Sequence, residues 1–293
     1  MTLHARIAAA RQRLRGAGIP DDEADLDARL LAEYVLGWTT EQFFSAPDGP
    51  EPAGFADRFS VLVDRRAARE PFAYIVGRQE FWGLSFEVTP AVLIPRPETE
   101  LLVELALAAC GKNADTVIAD VCTGCGCVAV AIARDRRRAR VVATDVSDAA
   151  LAVARRNAEA HGVQAQIDFR RADLLDDVAG PLDLVVANPP YVAERDRETI
   201  QPEVADHEPS LALFAGEDGL DVIRRLIPES VRRLKPGGTL LFEFGYGQDA
   251  EVAELIENTP GLTMIELRRD FQGIPRVAVA QASTYNLQLT TKN

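Results

Sequence analysis

Residues 117–135 read VIADVCTGCGCVAVAIARD: a mostly apolar run, a turn with two glycines, and a second apolar run. Apolar runs of strand length are typical of strands that are buried on both faces of a parallel sheet. Gly124 and Gly126 lie in the turn, and a helix is predicted to begin near Val128. The stretch therefore predicts a strand, a glycine turn and a helix, the repeating unit of an α/β fold.

The same alternation continues to residue 283. Short β-rich runs follow one another with mostly helical stretches between them: TVIADVC, ARVVATDV, AQIDFRR, LDLVVAN, GTLLFEFG, LTMIELRR and RVAVAQA. Only DFQGIP separates the last two runs, which is too short for a crossover, so the final strand is predicted to be antiparallel. We expect a seven-stranded, doubly wound α/β sheet covered by helices on both faces.

The first 75 residues predict a small helical domain. Within DDEADLDARLLAEYVLG, Leu26, Leu30 and Tyr34 recur every four positions with Leu31 and Val35 beside them, which indicates the apolar stripe of an amphipathic helix. Gly37 stands where a C-terminal cap is expected. Nothing in this part of the sequence resembles a catalytic constellation.

After this helical part the hydrophobic period changes to two. Phe86 and Val88 fall on one face, and turn residues interrupt the pattern, so a β-hairpin is predicted. The predicted organisation is a helical domain at 1–75, a hairpin linker at 76–95, the α/β domain at 96–283 and a polar tail at 284–293.

Charge narrows the possible partners. The formal net charge of −13 argues against direct binding to nucleic acid, because phosphate backbones are bound by basic surfaces. Acidity is highest between Glu194 and Asp221, where nine Asp or Glu residues accompany two Arg. This segment is either a solvated surface or a surface that receives a cationic partner or ligand.

Composition also favours a soluble cytoplasmic protein. The longest apolar stretches have only strand length, and the N-terminus lacks a signal-peptide core, so no membrane contact is expected. Cys122, Cys125 and Cys127 are spaced for neither a disulfide framework nor a paired zinc motif, so no metal site is predicted.

The glycine turn is the first candidate ligand site, because ligands of such sheets bind beyond the carboxyl ends of the strands. Ala129 occupies the third position of the dinucleotide fingerprint, so Gly124 and Gly126 alone are weak evidence for a nucleotide. Asp120 stands at the entrance of the loop. Its carboxylate is expected to attract a cationic ligand and to repel a diphosphate.

Acidic residues also follow the next two strands. Asp145 ends the second strand, 21 residues after Gly124, where a carboxylate can bind both ribose hydroxyls. Alternatively it caps the next helix, a role that Ser147 can fill. Asp173 is a candidate acceptor for an adenine amino group, with Leu174 packing on the ring. Ribose, adenine and a positive centre together predict S-adenosylmethionine, whose charge is a sulfonium.

The fourth strand ends in the tetrapeptide Asn188-Pro189-Pro190-Tyr191. The nitrogen of an amide or of an exocyclic amino group is a poor nucleophile because its lone pair is delocalised. The Asn188 side-chain oxygen and the Pro189 carbonyl can accept its two hydrogens, and the prolines fix the backbone. Tyr191 can stack on the planar group and exclude water, so transfer depends on positioning rather than on a charged base. The alternative is a strand that simply ends in a Pro-Pro turn.

The tetrapeptide serves adenine N6, cytosine N4 and glutamine nitrogen alike, but other segments restrict the substrate. They are REPFAYIVGRQEFWGLSFEV, LIPRPETELLVE, EPSLALFAGEDGLDVI, LKPGGTLLFEFGYGQ and DFQGIPRVAVA. With DVCTGCG and NPPY, and in this order, they resemble the HemK/PrmC family over nearly the whole chain. That family methylates glutamine side-chain nitrogen in proteins, above all in the Gly-Gly-Gln loop of class-1 peptide chain release factors.

The resemblance implies a Rossmann-like methyltransferase fold and assigns roles residue by residue. It implies donor contacts from Cys122, Thr123, Gly124, Cys125 and Gly126. It implies ribose binding by Asp145, a base-side contact near Leu174, and the substrate glutamine at Asn188–Tyr191, with Asn188 also beside the donor. Pro95–Glu100 would lie over the donor, and similar proteins use the helical domain to hold the release factor.

This sequence departs from the family pattern at two loop positions. Glycine is common in the family where this chain has Cys122, and serine or threonine where it has Cys125, so a thiol contact would replace a hydroxyl contact. Arg96 is interpreted either as a ligand contact or as a salt-bridge partner of Glu100.

Three alternatives stay open from the sequence. A related branch methylates a glutamine of a ribosomal protein, although PRPETE is more similar to the release-factor branch. An adenine-N6 methyltransferase would need a basic channel for a nucleic acid, which the acidity disfavours. A binding module without turnover would be expected to have a damaged glycine loop or an altered NPPY, and neither is present.

Overall fold

A computed structural model of the chain describes residues 1–47 and 49–284. The helices are α1 (Leu3–Gly16), α2 (Asp21–Leu36), α3 (Thr40–Ser45), α4 (Phe55–Ala67), α5 (Phe72–Val76), α6 (Glu100–Ala109), α7 (Cys127–Asp135), α8 (Asp148–Ala160), α9 (Pro202–His207), α10 (Ser210–Leu213), α11 (Asp221–Arg233) and α12 (Asp249–Glu257). The strands are β1 (Arg78–Phe81), β2 (Leu84–Glu87), β3 (Val117–Val121), β4 (Arg140–Asp145), β5 (Ile167–Arg171), β6 (Leu182–Ala187), β7 (Leu234–Glu243), β8 (Leu262–Arg269) and β9 (Pro275–Ala282). The predicted polar tail lies, from residue 285 onward, outside the described residues. Within those residues, none of the helices has the length and hydrophobicity to cross a membrane.

The described chain forms two compact units. The first consists of Met1–Arg78 together with Gln201–His207, and the second of Gln79–Ile200 together with the chain from Glu208. The segment Gln201–His207 carries α9, and no sequence pattern assigned it to the helical part. The domain limits drawn from the sequence therefore remain a proposal.

The buried face of α2 in the first unit differs from the predicted stripe. Leu26 and Tyr34 are 46% and 43% exposed, so the prediction was wrong for these two residues, whereas Leu31 and Val35 of the predicted stripe are buried. The buried residues of α2 are Ala24, Asp27, Ala28, Leu31, Ala32, Glu33 and Val35. The alanines on this face leave room for α1 and α4, which both pack against α2. Gly37 is left-handed and ends the helix, as predicted.

A buried ion cluster explains why an aspartate lies on that face. Arg66 of α4 is 4% exposed, and its Nε donates to Asp27 at 2.6 Å. Its Nη1 donates to Glu203 of α9 at 2.9 Å, and Arg69 donates to the same carboxylate at 2.6 Å. A buried guanidinium needs such partners, because the loss of its hydration is otherwise uncompensated.

The second unit contains the seven-stranded sheet, in the order β5-β4-β3-β6-β7-β9-β8. Neighbours from β5 to β7 are parallel, and β9 is antiparallel to both β7 and β8. The predicted sheet, including its antiparallel last strand, is confirmed. Because β3 lies between β4 and β6, the strand order reverses there, and this reversal opens a crevice at the carboxyl ends.

A hairpin of β1 and β2 lies near the start of the second unit. Trp82 and Gly83 close it, both with positive φ (56° and 66°), which a two-residue type I′ turn requires. Phe86 and Val88 are buried, as their shared face predicted. Trp82 tolerates this backbone because its amide donates to the carboxylate of Glu100 at 2.7 Å.

Candidate active site

A cavity of about 430 Å³ lies at the carboxyl ends of β3, β4, β5 and β6. The predicted site residues in its wall are Asp120, Cys122, Thr123, Gly124, Cys125, Asp145, Asp173, Leu174, Asn188 and Pro190. Gly126, Pro189 and Tyr191 are next to these in sequence but are not part of the wall. The sheet therefore brings most of the predicted residues to one place.

The glycine loop after β3 shows why its two glycines are there. Gly126 has φ 81° and caps α7, and a Cβ on it would lie 3.0 Å from the Cβ of Ala154. Gly124 has φ 55°, and a Cβ on it would meet nothing within 4 Å. Gly126 thus lets the loop pack on α8, whereas Gly124 keeps the cavity side open for a ligand.

Cys122 also has a left-handed backbone, with φ 58°. A side chain is strained in this conformation, whereas glycine adopts it freely. Burial, reinforced by the carboxylates of Asp145 and Asp120, raises the pKa of the Cys122 thiol. The thiol stays protonated, so it offers the cavity a neutral, weakly polar group.

Asp120 holds the glycine loop against α7. It is 1% exposed, and its Oδ2 accepts from Thr123 Oγ1 at 2.6 Å and from the amide of Ala129 at 3.1 Å. Burial raises the pKa of Asp120 to about 7, against the opposing effect of these hydrogen bonds. The sequence predicted only an attraction for a cation and not this role in the loop.

Asp145 is positioned by backbone amides at the end of β4. Its Oδ2 accepts from the Gly124 amide and its Oδ1 from the Ser147 amide, both at 2.9 Å. Ser147 caps α8, since its side chain accepts from the Ala150 amide at 3.1 Å. Asp145 is therefore not needed as the cap. It forms part of the cavity wall, beside the glycine loop.

The loop after β5 brings Asp173 and Leu174 to the same cavity. Asp173 accepts from Arg225 Nη2 at 2.7 Å, so its carboxylate has a partner that the sequence did not reveal. Leu174 is 3% exposed and left-handed, with φ 51°. Its carbonyl accepts from Thr144 Oγ1 at 2.8 Å, which fixes the loop above the sheet.

The NPPY tetrapeptide follows β6, and two of its side chains are hydrogen-bonded to buried residues. Asn188 Nδ2 donates to Thr99 Oγ1 at 3.0 Å. The Tyr191 hydroxyl donates to Glu243 Oε1 at 2.9 Å. No hydrogen bond to Asn188 Oδ1 or to the Pro189 carbonyl is found among the described residues. Both oxygens therefore retain acceptor capacity for a ligand.

Three further residues support this site, and none of the three was predicted to hold the tetrapeptide. Thr99 and Glu243 are 2% and 1% exposed, and Thr99 Oγ1 donates to Glu243 Oε2 at 2.7 Å. Gln248 Nε2 donates to the Tyr191 carbonyl at 3.0 Å, and its Oε1 accepts from the Gly245 amide at 2.8 Å. Glu243 was detectable as the single acid in the apolar strand GTLLFEFG, since a buried carboxylate requires donors.

The PRPETE stretch contributes Pro95, Arg96 and Thr99 to the cavity wall. Arg96 pairs with Glu208, not with Glu100, so the predicted salt-bridge partner was wrong. Glu208 is 5% exposed and also accepts from a backbone amide, which makes it the better-placed partner. Part of the acidic segment is thus neutralised by arginines within the chain.

Comparison with solved structures shows the fold. A methyltransferase from Pyrococcus furiosus is 17% identical and covers 76% of this chain and 100% of its own, with a TM-score of 0.53. The hMettl16 catalytic domain, solved with an RNA hairpin, is 19% identical and covers 82% of this chain and 84% of its own, with a TM-score of 0.56. Both likenesses support a Rossmann-like methyltransferase sheet.

Comparison with family models and curated proteins shows the family. Residues 7–77 match the PrmC N-terminal domain, and residues 98–207 match the methyltransferase small domain. A release factor glutamine methyltransferase from Koribacter versatilis is 38% identical over 97% of this chain and 100% of its own length. The protein of that name from Streptomyces coelicolor is 40% identical over 95% of this chain and 98% of its own. The chain therefore belongs to the release factor glutamine methyltransferase family.

Proposed function

We propose that this chain transfers a methyl group from S-adenosylmethionine to the side-chain amide nitrogen of the glutamine in the Gly-Gly-Gln loop of a class-1 release factor. The observation that carries the proposal is the orientation of Asn188. Its Nδ2 is occupied by Thr99, so its Oδ1 is the atom left to accept from an NH2 group in the cavity. The curated relatives, matched from end to end, carry the name of this activity.

The cavity fits the proposed donor. Its volume of about 430 Å³ lies within the range of roughly 300–1,000 Å³ that is usual for small-molecule sites. Gly124 leaves the floor open, and the carboxylate of Asp145 lies next to it, as a ribose contact requires. Asp173 and Leu174 would take the adenine end. S-adenosylmethionine, when bound, supplies an electrophilic methyl group on its sulfonium sulfur.

The protein contributes position and polarity to the reaction. Asn188 Oδ1 and the Pro189 carbonyl accept the two hydrogens of the substrate amide, which draws electron density onto its nitrogen and fixes the plane of the group. Pro189 and Pro190 have no amide hydrogen that could compete for these acceptors. Tyr191, held at both its hydroxyl and its carbonyl, closes the site against water. When the nitrogen gains the methyl group it would lose one of its two hydrogens as a proton, which leaves by way of the oxygen that accepts it and passes to water. Such positioning can supply much of the rate enhancement without a charged base.

The proposed acceptor of the methyl group is a protein, and the proposal extends to how this chain contacts it and in which compartment. The acidity of the chain disfavours a nucleic-acid substrate. We assign the helical part at 1–75 to contact with the release factor, and the cytoplasm as the compartment in which release factors act. A ribosomal protein glutamine is the competing acceptor.

One experiment separates these acceptors. The protein and methyl-labelled donor are incubated separately with a release factor, with the same factor lacking the loop glutamine, with the large-subunit ribosomal protein, and with duplex DNA. We expect label on the intact release factor alone. Label on the ribosomal protein instead would move the chain to the other branch, and label on DNA would refute protein methylation.

A further inference from the structure

Two side chains of the NPPY tetrapeptide are connected to one buried carboxylate, that of Glu243. Tyr191 bonds to it directly, and Asn188 is linked to it through Thr99. Glu243 stands at the last position of β7 and accepts from Tyr191 through Oε1 and from Thr99 through Oε2, at 2.9 Å and 2.7 Å. Thr99 in turn accepts from Asn188 at 3.0 Å. The carboxylate is 1% exposed, so water does not compete for these bonds.

The chemistry of this chain of bonds fixes its direction. A carboxylate has no hydrogen to give, so the Thr99 hydroxyl must donate to Glu243. A hydroxyl has one hydrogen, so the Thr99 oxygen can only accept from its other neighbour. Asn188 must then present its NH2 group to Thr99 and its oxygen to the cavity. The orientation of the Asn188 amide is thus set by the Glu243 carboxylate, through the hydroxyl of Thr99.

We propose that Glu243 is a positioning residue, which acts through Thr99 on Asn188 and directly on Tyr191 to hold both in the orientation that methyl transfer requires. This inference rests on the proposed function. Glu243 does not line the cavity, whereas Asn188 does. Glu243 therefore acts by orienting the acceptor oxygen of Asn188 and by holding the Tyr191 ring beside it.

Glu243 has the surroundings that this role demands. It pairs in register with Val277 of β9, and the strand before it is buried, so its backbone is fixed by the sheet. Tyr191 is also held from the other side, where Gln248 donates to its carbonyl. A Cβ on Gly219 would lie 2.2 Å from that carbonyl oxygen, so the backbone of Tyr191 has no room to shift in that direction.

Three variants test the direction of the bonds. Thr99→Val has nearly the same shape but can neither donate nor accept, whereas Thr99→Ser keeps the hydroxyl. Glu243→Gln leaves one acceptor where the carboxylate had two. Its NH2 group then faces either Thr99, whose hydrogen turns toward Asn188 and reverses that amide, or Tyr191, whose hydroxyl loses its acceptor. Glu251→Gln, on the exposed face of α12, makes the same chemical change away from the site.

The readouts are kcat, KM for the release factor, the donor dissociation constant and the thermal midpoint. We expect Thr99→Val and Glu243→Gln to lower kcat by about 100-fold, with the donor dissociation constant changed by less than about 3-fold. We expect Thr99→Ser to retain kcat within about 5-fold, and Glu251→Gln to match the wild type.

The outcomes distinguish a failure of the positioning role from a failure of the proposed function. If the wild type methylates the release factor and Thr99→Val keeps its kcat, the positioning role is refuted while the proposed function stands. If Thr99→Ser loses as much kcat as Thr99→Val, the hydroxyl is not the transmitting group, and the inference fails as well. If the wild type methylates no glutamine, both fall together. If Glu243→Gln folds and keeps its kcat, the role of Glu243 is refuted. Where that variant does not fold, a Thr99→Val enzyme with normal kcat still refutes the route through Thr99.

Discussion

Replacing Asp120 by asparagine is expected to stabilise the protein, and increasingly so as the pH rises. Asparagine has nearly the same shape, and its Oδ1 can accept the hydrogen bonds that Asp120 Oδ2 accepts from Thr123 and Ala129. What the substitution removes is the cost of a charge in a site that is 1% exposed.

The size of the effect follows from the pKa of Asp120, which burial raises to about 7 from an ordinary value of 3.8. Because the pKa is higher in the folded state, the wild type binds its proton more tightly when folded. The contribution of Asp120 to stability is therefore most favourable at low pH and declines as the pH rises toward 7. Each pKa unit is worth about 1.4 kcal/mol, so the advantage of Asp120→Asn should grow by about 2–3 kcal/mol from pH 5 to pH 8.

The assay is equilibrium urea unfolding of both proteins at pH 5, 6, 7 and 8. Most other groups titrate alike in both proteins, so the difference between the two curves isolates Asp120. Asp176→Asn makes the same chemical change at an exposed aspartate and is the matched control. A difference between Asp120→Asn and the wild type that does not grow with pH beyond that of the control would refute the reasoning.

Four further substitutions have defined expectations. Asn188→Ala should lower kcat by about 100-fold or more in methylation assays while calorimetry shows donor affinity retained, because only the acceptor for the substrate amide is lost. Asp145→Ala should weaken donor binding by about 10-fold or more, measured as the dissociation constant, and an unchanged constant would move the ribose contact elsewhere. Cys122→Gly should raise the free energy of unfolding by up to ~1 kcal/mol, because glycine relieves the left-handed strain, and a decrease in urea unfolding would contradict this. Arg66→Met should lower the free energy of unfolding by about 3–5 kcal/mol, because two carboxylates lose a buried partner. A loss below about 1 kcal/mol in urea unfolding would show that the cluster is solvated.

The sequence predicted the sheet well because each strand carries its own signal. Apolar runs of strand length are local features, and the short link DFQGIP sets the direction of β9 without reference to the rest of the chain. The carboxyl ends of parallel strands meet at one edge, so Asp145 and Asn188 could be placed at the same cavity from the strand pattern alone.

The sequence failed where the decisive partner is far away along the chain. Leu26 and Tyr34 have helical spacing, but the face that α2 buries was decided by its neighbours α1 and α4, which periodicity does not contain. Thr99 and Glu243 are separated by 144 positions, and only the packing of the second unit brings their oxygens to 2.7 Å. Both residues lie in segments that the sequence singled out, PRPETE and LKPGGTLLFEFGYGQ, but nothing in those segments shows that the two side chains meet.

The ion cluster of the first unit has a consequence for how the chain is made. Arg66 leaves the ribosome long before Glu203, which belongs to the same compact unit but is encoded after the strand that ends in NPPY. A nascent chain that stops at Arg78 therefore has the Arg66 guanidinium without its partner Glu203, while Asp27 and Glu23 are already present. The helical unit is topologically discontinuous, so its final consolidation has to wait until synthesis has passed α9.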